Sequence, residues 1–402
     1  MPGKTTLVSN ATQLLAAAGK AMSGDTILLA AGNYGDVSLS YLKPTGMVTI
    51  KSADPDNDAV FKTIKLTNVT NLTIEDIDIR NPIAPGADMK PGLAINKSTN
   101  IVISGMDLSG SLNGNSFDDA HGAIIVGSSH VSILDSTFRQ TRAAVVFNRD
   151  DNIIFAGNSI TEGREGVNIG EVNHGLFERN YLTNMQPNYL GGDHPDNFQV
   201  QSGGPNGASN DLAFRNNVMI EGTSGFIGGI YVHSEKNDIG VRHTNISIEN
   251  NYYQSTYRHG ISVSNTDGLV ISGNTVLNSA RIGVDAAIMV ADVKGALIDR
   301  NIAPLLIDRQ DFPSTGVTWR NNIDVWDART KVGIAQSALF APIGTGEIDF
   351  AALGTLAGGA GARIGAGFHS VTGIGNLTGN LAAQIAAYVP QFDHSFATHP
   401  LV

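Results

Sequence analysis

The chain has 402 residues, of which 46 are Gly and none Cys; 42% are hydrophobic, only 16% are charged, and the formal charge is −11. The missing cysteines exclude disulfides and thiolate metal sites. The acidic balance argues against a nucleic-acid partner, which needs a basic footprint. No apolar run approaches the ~20 residues that span a bilayer, so membrane insertion is not expected.

Met1 to Asn10 is polar and lacks the charged-then-apolar layout of a secretory signal. A mature chain, or export by lysis or a dedicated exporter, would account for that. Asn10–Ala21 is Ala/Leu-rich behind an Asn cap and predicts a short helix. It would cover the open end of whatever follows. Asp25–Ala30 then predicts a strand, Gly32–Gly35 a turn and Val48–Lys51 a strand.

From the middle of the chain an apolar-x-x-Asn signature recurs, at Phe155–Asn158, Phe177–Asn180, Phe214–Asn217, Ile248–Asn251, Ile271–Asn274, Ile298–Asn301 and Trp319–Asn322. Its asparagines are 22, 37, 34, 23, 27 and 21 residues apart. A short apolar strand ending in Asn at such intervals predicts the coils of a parallel β-solenoid. Asn tolerates the left-handed backbone of a tight bend, and its amide can bond the same bend one coil away.

Aligning the coils brings a second strand into register, beginning at His121, Arg142, Glu165, Asp196, Gly228, His259 and Asp285. Its third residues (Ala123, Ala144, Val167, Phe198, Ile230, Ile261, Ala287) and fifth residues (Ile125, Val146, Ile169, Val200, Val232, Val263, Met289) are apolar and should face inward. The outward fourth column then reads Ile124, Val145, Asn168, Gln199, Tyr231, Ser262, Ile288. The sixth reads Val126, Phe147, Gly170, Gln201, His233, Ser264, Val290. A polar band is thus bounded by apolar coils. Four rungs at ~4.8 Å span roughly 15–20 Å, room for three or four sugar units. Neutral amides with Tyr and His suit hydroxyl-rich ligands.

The longest steps between coils lie between Glu165 and His259, so extra loops gather around this band. The densest cluster, Tyr189 to Gln201, places Asp193, His194 and Asp196 just ahead of Gln199 and Gln201. Arg164, Asn168 and Glu171 stand one coil earlier; Tyr231, His233, Arg258 and His259 follow. Asp193, His194, Asp196, Glu171, Tyr231, His233 and Arg164 are the catalytic candidates. Asn168, Gln199, Gln201, Tyr189, Arg258, His259 and Ser262 are the substrate-binding ones. A capped, internally bonded turn is the plainer account of Asp193–Asp196 taken alone. Asp193, Asp196 and Glu171 could ligate a hard cation such as Ca²⁺, though hydrogen-bonded carboxylates account for them as well. Asp150–Asp151 reads as an ordinary turn.

These Asn-ended and Gly-x-apolar strands resemble, over residues 1–325, a right-handed parallel β-helix of the pectate-lyase-like superfamily. The opening Gly24–Tyr34 followed by Val48–Ser52 is similar to the start of chondroitinase-B-like and alginate-lyase-like β-helices. Asp193-His-Pro-Asp is similar to the Asp-Pro-His-Asp/Glu tract of mannuronan C5-epimerases, with His and Pro exchanged and Tyr189 four residues ahead. The resemblance implies an all-β, single-stranded solenoid with a short N-terminal capping helix. It implies a polysaccharide substrate, an extracellular or virion-associated setting and, among phage tailspikes, a homotrimer. The expected activity is a lyase acting on a uronic-acid polymer. A glycoside hydrolase using a carboxylate pair from Glu171, Asp193 and Asp196, a non-catalytic carbohydrate or receptor binder, and a purely structural solenoid are the other readings. Residues 326–402, Gly/Ala-rich with a predicted helix at Leu381–Val389, are expected to form a cap or oligomerisation segment.

Overall fold

The computed structural model describes residues 3–84, 86–187, 195–202, 207–222, 226–236, 239–279 and 284–325. Tyr189, Asp193, His194 and the 326–402 segment, with its predicted helix, lie outside them. The described residues hold 30 strands and one helix, and every strand pair is parallel. Each coil contributes to three stacks. Glu165–Gly170, Asn173–Glu178 and Tyr181–Thr183 form one such coil. A parallel pair needs a crossover, and winding one coil per strand supplies it without any helix. No described helix is long and apolar enough to cross a membrane.

The helix spans Ala11–Ala18, shorter than predicted, because its last turn closes at Gly19. Asn10 caps it by accepting the Gln13 N–H at 3.0 Å. Leu14 and Ala18 dip into the core and close the first coil. Gly32–Gly35 is not a turn: it opens the strand Gly32–Ser40, with Tyr34 buried against Phe61 at 5.1 Å between ring centroids. Burial of that ring outweighs the turn propensity of its glycines.

The predicted asparagine column is a continuous ladder. From Asn158 through Asn180, Asn217, Asn251, Asn274 and Asn301 to Asn322, each Asn offers its backbone N–H and side-chain N–H to the Oδ1 of the next, at 2.9–3.1 Å. Each Nδ2 also donates to a strand carbonyl one coil back, such as Phe155 O from Asn180 and Phe177 O from Asn217. The left-handed residue is the one before the ladder Asn, contrary to expectation: Gly157, Arg179, Asn216, Asn250, Gly273, Arg300 and Asn321 all have φ between 53° and 70°. The bend thereby turns the following amide inward, where its bonds are shielded from water. Asp150 is likewise no ordinary turn residue. It is 1% exposed and accepts the N–H groups of Ser128 and Asn148, both at 2.7 Å. Burial pushes its carboxyl up to about 7.

Candidate functional site

The stack that carries the polar band is in the predicted register through its centre. Asn168 lies opposite Gln199, Gln199 opposite Tyr231, and Tyr231 opposite Ser262. Gly170, Gln201 and His233 form the parallel row. The flanking coils slip by one residue. At Ala143–Asn148, Val145 and Phe147 enter the core, so Val146 and Asn148, not Val145 and Phe147, take the outward columns. Phe147 is held there edge-on between Phe155 and Phe177, at 6.1 and 5.9 Å. The run Ala-Ala-Val-Val-Phe is apolar at every position, so alternation alone cannot set its phase. Beyond His259 a register shift places Met289, rather than Ile288, beside Ser262, and leaves Ile288 and Val290 fully buried. The fourth column therefore stays bounded by apolar Val146 and Met289, while Asn148 lengthens the polar sixth row by one coil.

By residue count, the connections from Thr183 to Asp196, Gln201 to Asn210, Ile220 to Gly228 and His233 to His243 are longer than those of the coils before them. The band itself is poorly exposed: Gln199 and Ser262 are each 7% exposed, while Asn168, Tyr231, Gln201 and His233 are half-buried. Asn168 donates to Glu165 Oε2 at 2.8 Å, and its Oδ1 has no hydrogen-bond partner among the described residues. His233 Nδ1 is 2.7 Å from Ser264 Oγ.

Aromatic rings line one side. The Tyr231 and His259 rings stack at 5.4 Å and 15°, with His233 at 5.9 Å from Tyr231. Tyr257 meets His259 edge-on at 5.3 Å, and Phe226 stacks on Tyr257 at 5.4 Å. Tyr257 and Phe226 carried no signal in the strand alignment, because both lie in connecting segments. Burial, reinforced by the Asp196 charge, pushes the Tyr231 phenol up to about 12, so it is a proton donor at neutral pH.

Asp196 begins its strand at 1% exposure. Its carboxylate leans over Gly228, where a Cβ would stand 1.8 Å from Oδ1. The next residue, Gly229, is equally constrained, since a Cβ there would meet Gly260 O at 2.1 Å. These contacts give a physical basis to the Gly-x-apolar pattern. Arg258 and His259 are half-buried at the start of the following strand, and Arg164 lies over the Phe117 ring at 5.4 Å. Glu171 is placed elsewhere. It follows the far end of Glu165–Gly170, and six strand residues put it roughly 20 Å from Asp196. That exceeds the ~5–9.5 Å between the carboxyls of a glycosidase pair. The two cannot ligate one cation either. Glu165, on the rung beside Asp196, is the nearer carboxylate by register.

The second stack shows what a structural polar face looks like. His174 Nδ1 is 2.8 Å from Asp151, Asn210 donates to Asn173, Thr244 to Asn210 and Asn245 to Asp211, each rung bonded to the next.

Residues 121–303 match a family model described as a right handed beta helix region. No curated protein matches the chain. Among solved structures it is similar to a lacto-N-biosidase of family GH136 from Eubacterium ramulus, at TM-score 0.51 and 12% identity, covering 80% of this chain and 68% of that one. A PL6-family alginate lyase aligns at 0.44 and 14%, covering 81% and 52%. The Dettilon tailspike protein aligns at 0.49 and 14%, covering 77% and 62%. The chain therefore spans about half the length of that lyase and under two thirds of the tailspike. At these identities the likeness concerns fold alone. Parallel crossovers of this kind are right-handed in nearly all proteins. With its three parallel stacks and the family match over residues 121–303, the chain is a right-handed parallel β-helix.

Proposed function

We propose that the protein binds a polysaccharide across the outer face of the strands from Glu165 to Ser264 and cleaves it by β-elimination at a uronic-acid unit. The observation that carries this reading is the rung-by-rung row Asn168, Gln199, Tyr231, Ser262, beside the stacked Tyr231 and His259 rings. Neutral amides and hydroxyls at ~4.8 Å spacing match a ladder of sugar hydroxyls, and the rings offer faces for C–H groups. In the elimination the C5–H bond breaks, the electron pair forms C4=C5, and the C4–O bond breaks with a proton passing to the leaving oxygen. His233, oriented by Ser264, serves as the base, and the protonated Tyr231 phenol as the acid. Arg164 and Arg258, at the entry ends of two of these strands, are the cations assigned to offset the substrate carboxylate. Asp193 and His194, just ahead of Asp196 in the sequence, remain candidates. An extracellular or virion-associated setting, and a trimer, fit this reading.

Hydrolysis is the second reading, favoured by the adjacent rungs of Glu165 and Asp196. Incubation with alginate, polygalacturonate, chondroitin and neutral glucans separates the two. New ultraviolet absorbance together with new reducing ends indicates elimination; reducing ends alone indicate hydrolysis. No product from any polymer, with binding retained, would leave only a carbohydrate-binding role.

A further inference from the structure

Beyond the neutral band, three successive rungs carry His121, Arg142 and Arg164 where the chain enters the site stack. The backbone fixes their order: Arg142 N–H donates to Ala120 O at 2.9 Å, Arg164 N–H to Thr141 O at 3.0 Å and Glu165 N–H to Arg142 O at 3.0 Å. The rungs therefore rise by ~4.8 Å each, so neighbouring rungs lie about one sugar length apart. Arg142 is exposed and pairs with no carboxylate among the described residues. His121 is half-buried, and its Nδ1 is enclosed without a hydrogen-bond partner among the described residues. Arg164 is held over Phe117, whose loop is itself tied down: buried Gln140 donates to Ser111, Asn113 and Asp119 and accepts the Gly114 N–H. Glu165 is the acidic neighbour, and its carboxylate is engaged by Asn168. In a chain of charge −11 this is a local cationic patch, with the imidazole on its first rung.

We propose that His121 and Arg142, with Arg164 beside them, form an anion subsite that takes the carboxylate of an acidic sugar at the low-numbered end of the groove. A guanidinium fork matches a planar carboxylate, and the imidazole adds a donor or acceptor to the same ligand. Burial and the two guanidiniums keep His121 neutral, at about 4, so it recognises by hydrogen bonding and not by charge. This assignment rests on the groove reading above and makes Arg142, aligned at the start of its strand, a specificity determinant.

Binding of oligogalacturonate, oligomannuronate, a sulfated chondroitin oligosaccharide and a neutral cello-oligosaccharide to the full chain tests it, by calorimetry at two salt concentrations. Arg142→Gln should weaken uronate binding about tenfold, the worth of one charge-assisted bond, and reduce its salt dependence. The cello-oligosaccharide should bind both proteins alike. His121→Asn should weaken the uronates in the same direction with no change in salt dependence. Uronates held equally by wild type and Arg142→Gln would overturn the subsite while leaving the groove intact. Preference for the sulfated probe would overturn the carboxylate assignment. Binding of no oligosaccharide at all would overturn the groove reading, and the subsite with it.

Discussion

Replacing Asn217 by Ala removes a middle rung of the ladder. Its Oδ1 accepts from Asn180 N at 3.0 Å and Asn180 Nδ2 at 2.9 Å, and its Nδ2 donates to Phe177 O and Asn251 Oδ1, both at 2.9 Å. Asn180 Nδ2 keeps Phe155 O, and Asn251 Oδ1 keeps the Asn217 backbone N–H. One buried donor is then orphaned, the Asn180 N–H, and the Phe177 carbonyl, a member of the paired strand, loses its contact with the side chain. With about 1–3 kcal/mol for the orphaned donor and about 1 kcal/mol for the other bonds lost, the cost should be about 2–4 kcal/mol. Asn322 ends the ladder and is half-exposed, so water can replace its bonds and Asn322→Ala should cost about 1 kcal/mol. Urea unfolding followed by circular dichroism, comparing midpoints and slopes, measures both. Equal small losses for the two variants would refute the view that the interior ladder holds the coils in register.

Tyr231→Phe should lower turnover by about 100-fold or more with KM little changed, since the phenol is assigned as proton donor. The wild-type rate should show no phenol-dependent alkaline limb until pH nears 12, because burial raises that group; a limb near pH 9 abolished by Tyr231→Phe would contradict this. Phe226→Ala should raise KM by about 3–10-fold at unchanged kcat, through loss of an aromatic face. Gly228→Ala forces the new Cβ onto Asp196 Oδ1 and should cost both activity and about 1–3 kcal/mol of stability. For Asp150 the folded value of about 7 lies above the ordinary carboxylate value, so the folded state binds the extra proton. Stability should therefore decline as pH rises from about 4 to about 7, and Asp150→Asn should flatten that slope whatever its own stability.

The ladder strands were legible because Asn at a fixed place after an apolar pair leaves one alignment, and all seven rungs pair as read. The central columns were legible for a related reason. In Glu165–Gly170, Asp196–Gln201 and Gly228–His233 polar and apolar residues alternate, which fixes the phase. Arg142–Phe147 and Asp285–Val290 lack such alternation, and there the inferred phase slipped by one residue. The left-handed residue was misassigned because Asn occurs both at the bend and in the ladder, while Arg179 and Arg300 take the bend conformation without any residue-type signal. Phe226 and Tyr257 lie in connecting segments outside the aligned strands, and their stacking on each other and against His259 has no local pattern to announce it. Glu171 was grouped with Asp196 by coil number alone; the strand length between their positions separates them.

The most direct test of the account is the structure of the full chain bound to an uncleaved uronate oligosaccharide, captured with His233→Ala. The sugars should cross the rungs of Asn168, Gln199 and Tyr231, with a ring against Tyr231 or His259. Sugars bound instead along the His174, Asn210 and Thr244 stack would contradict it.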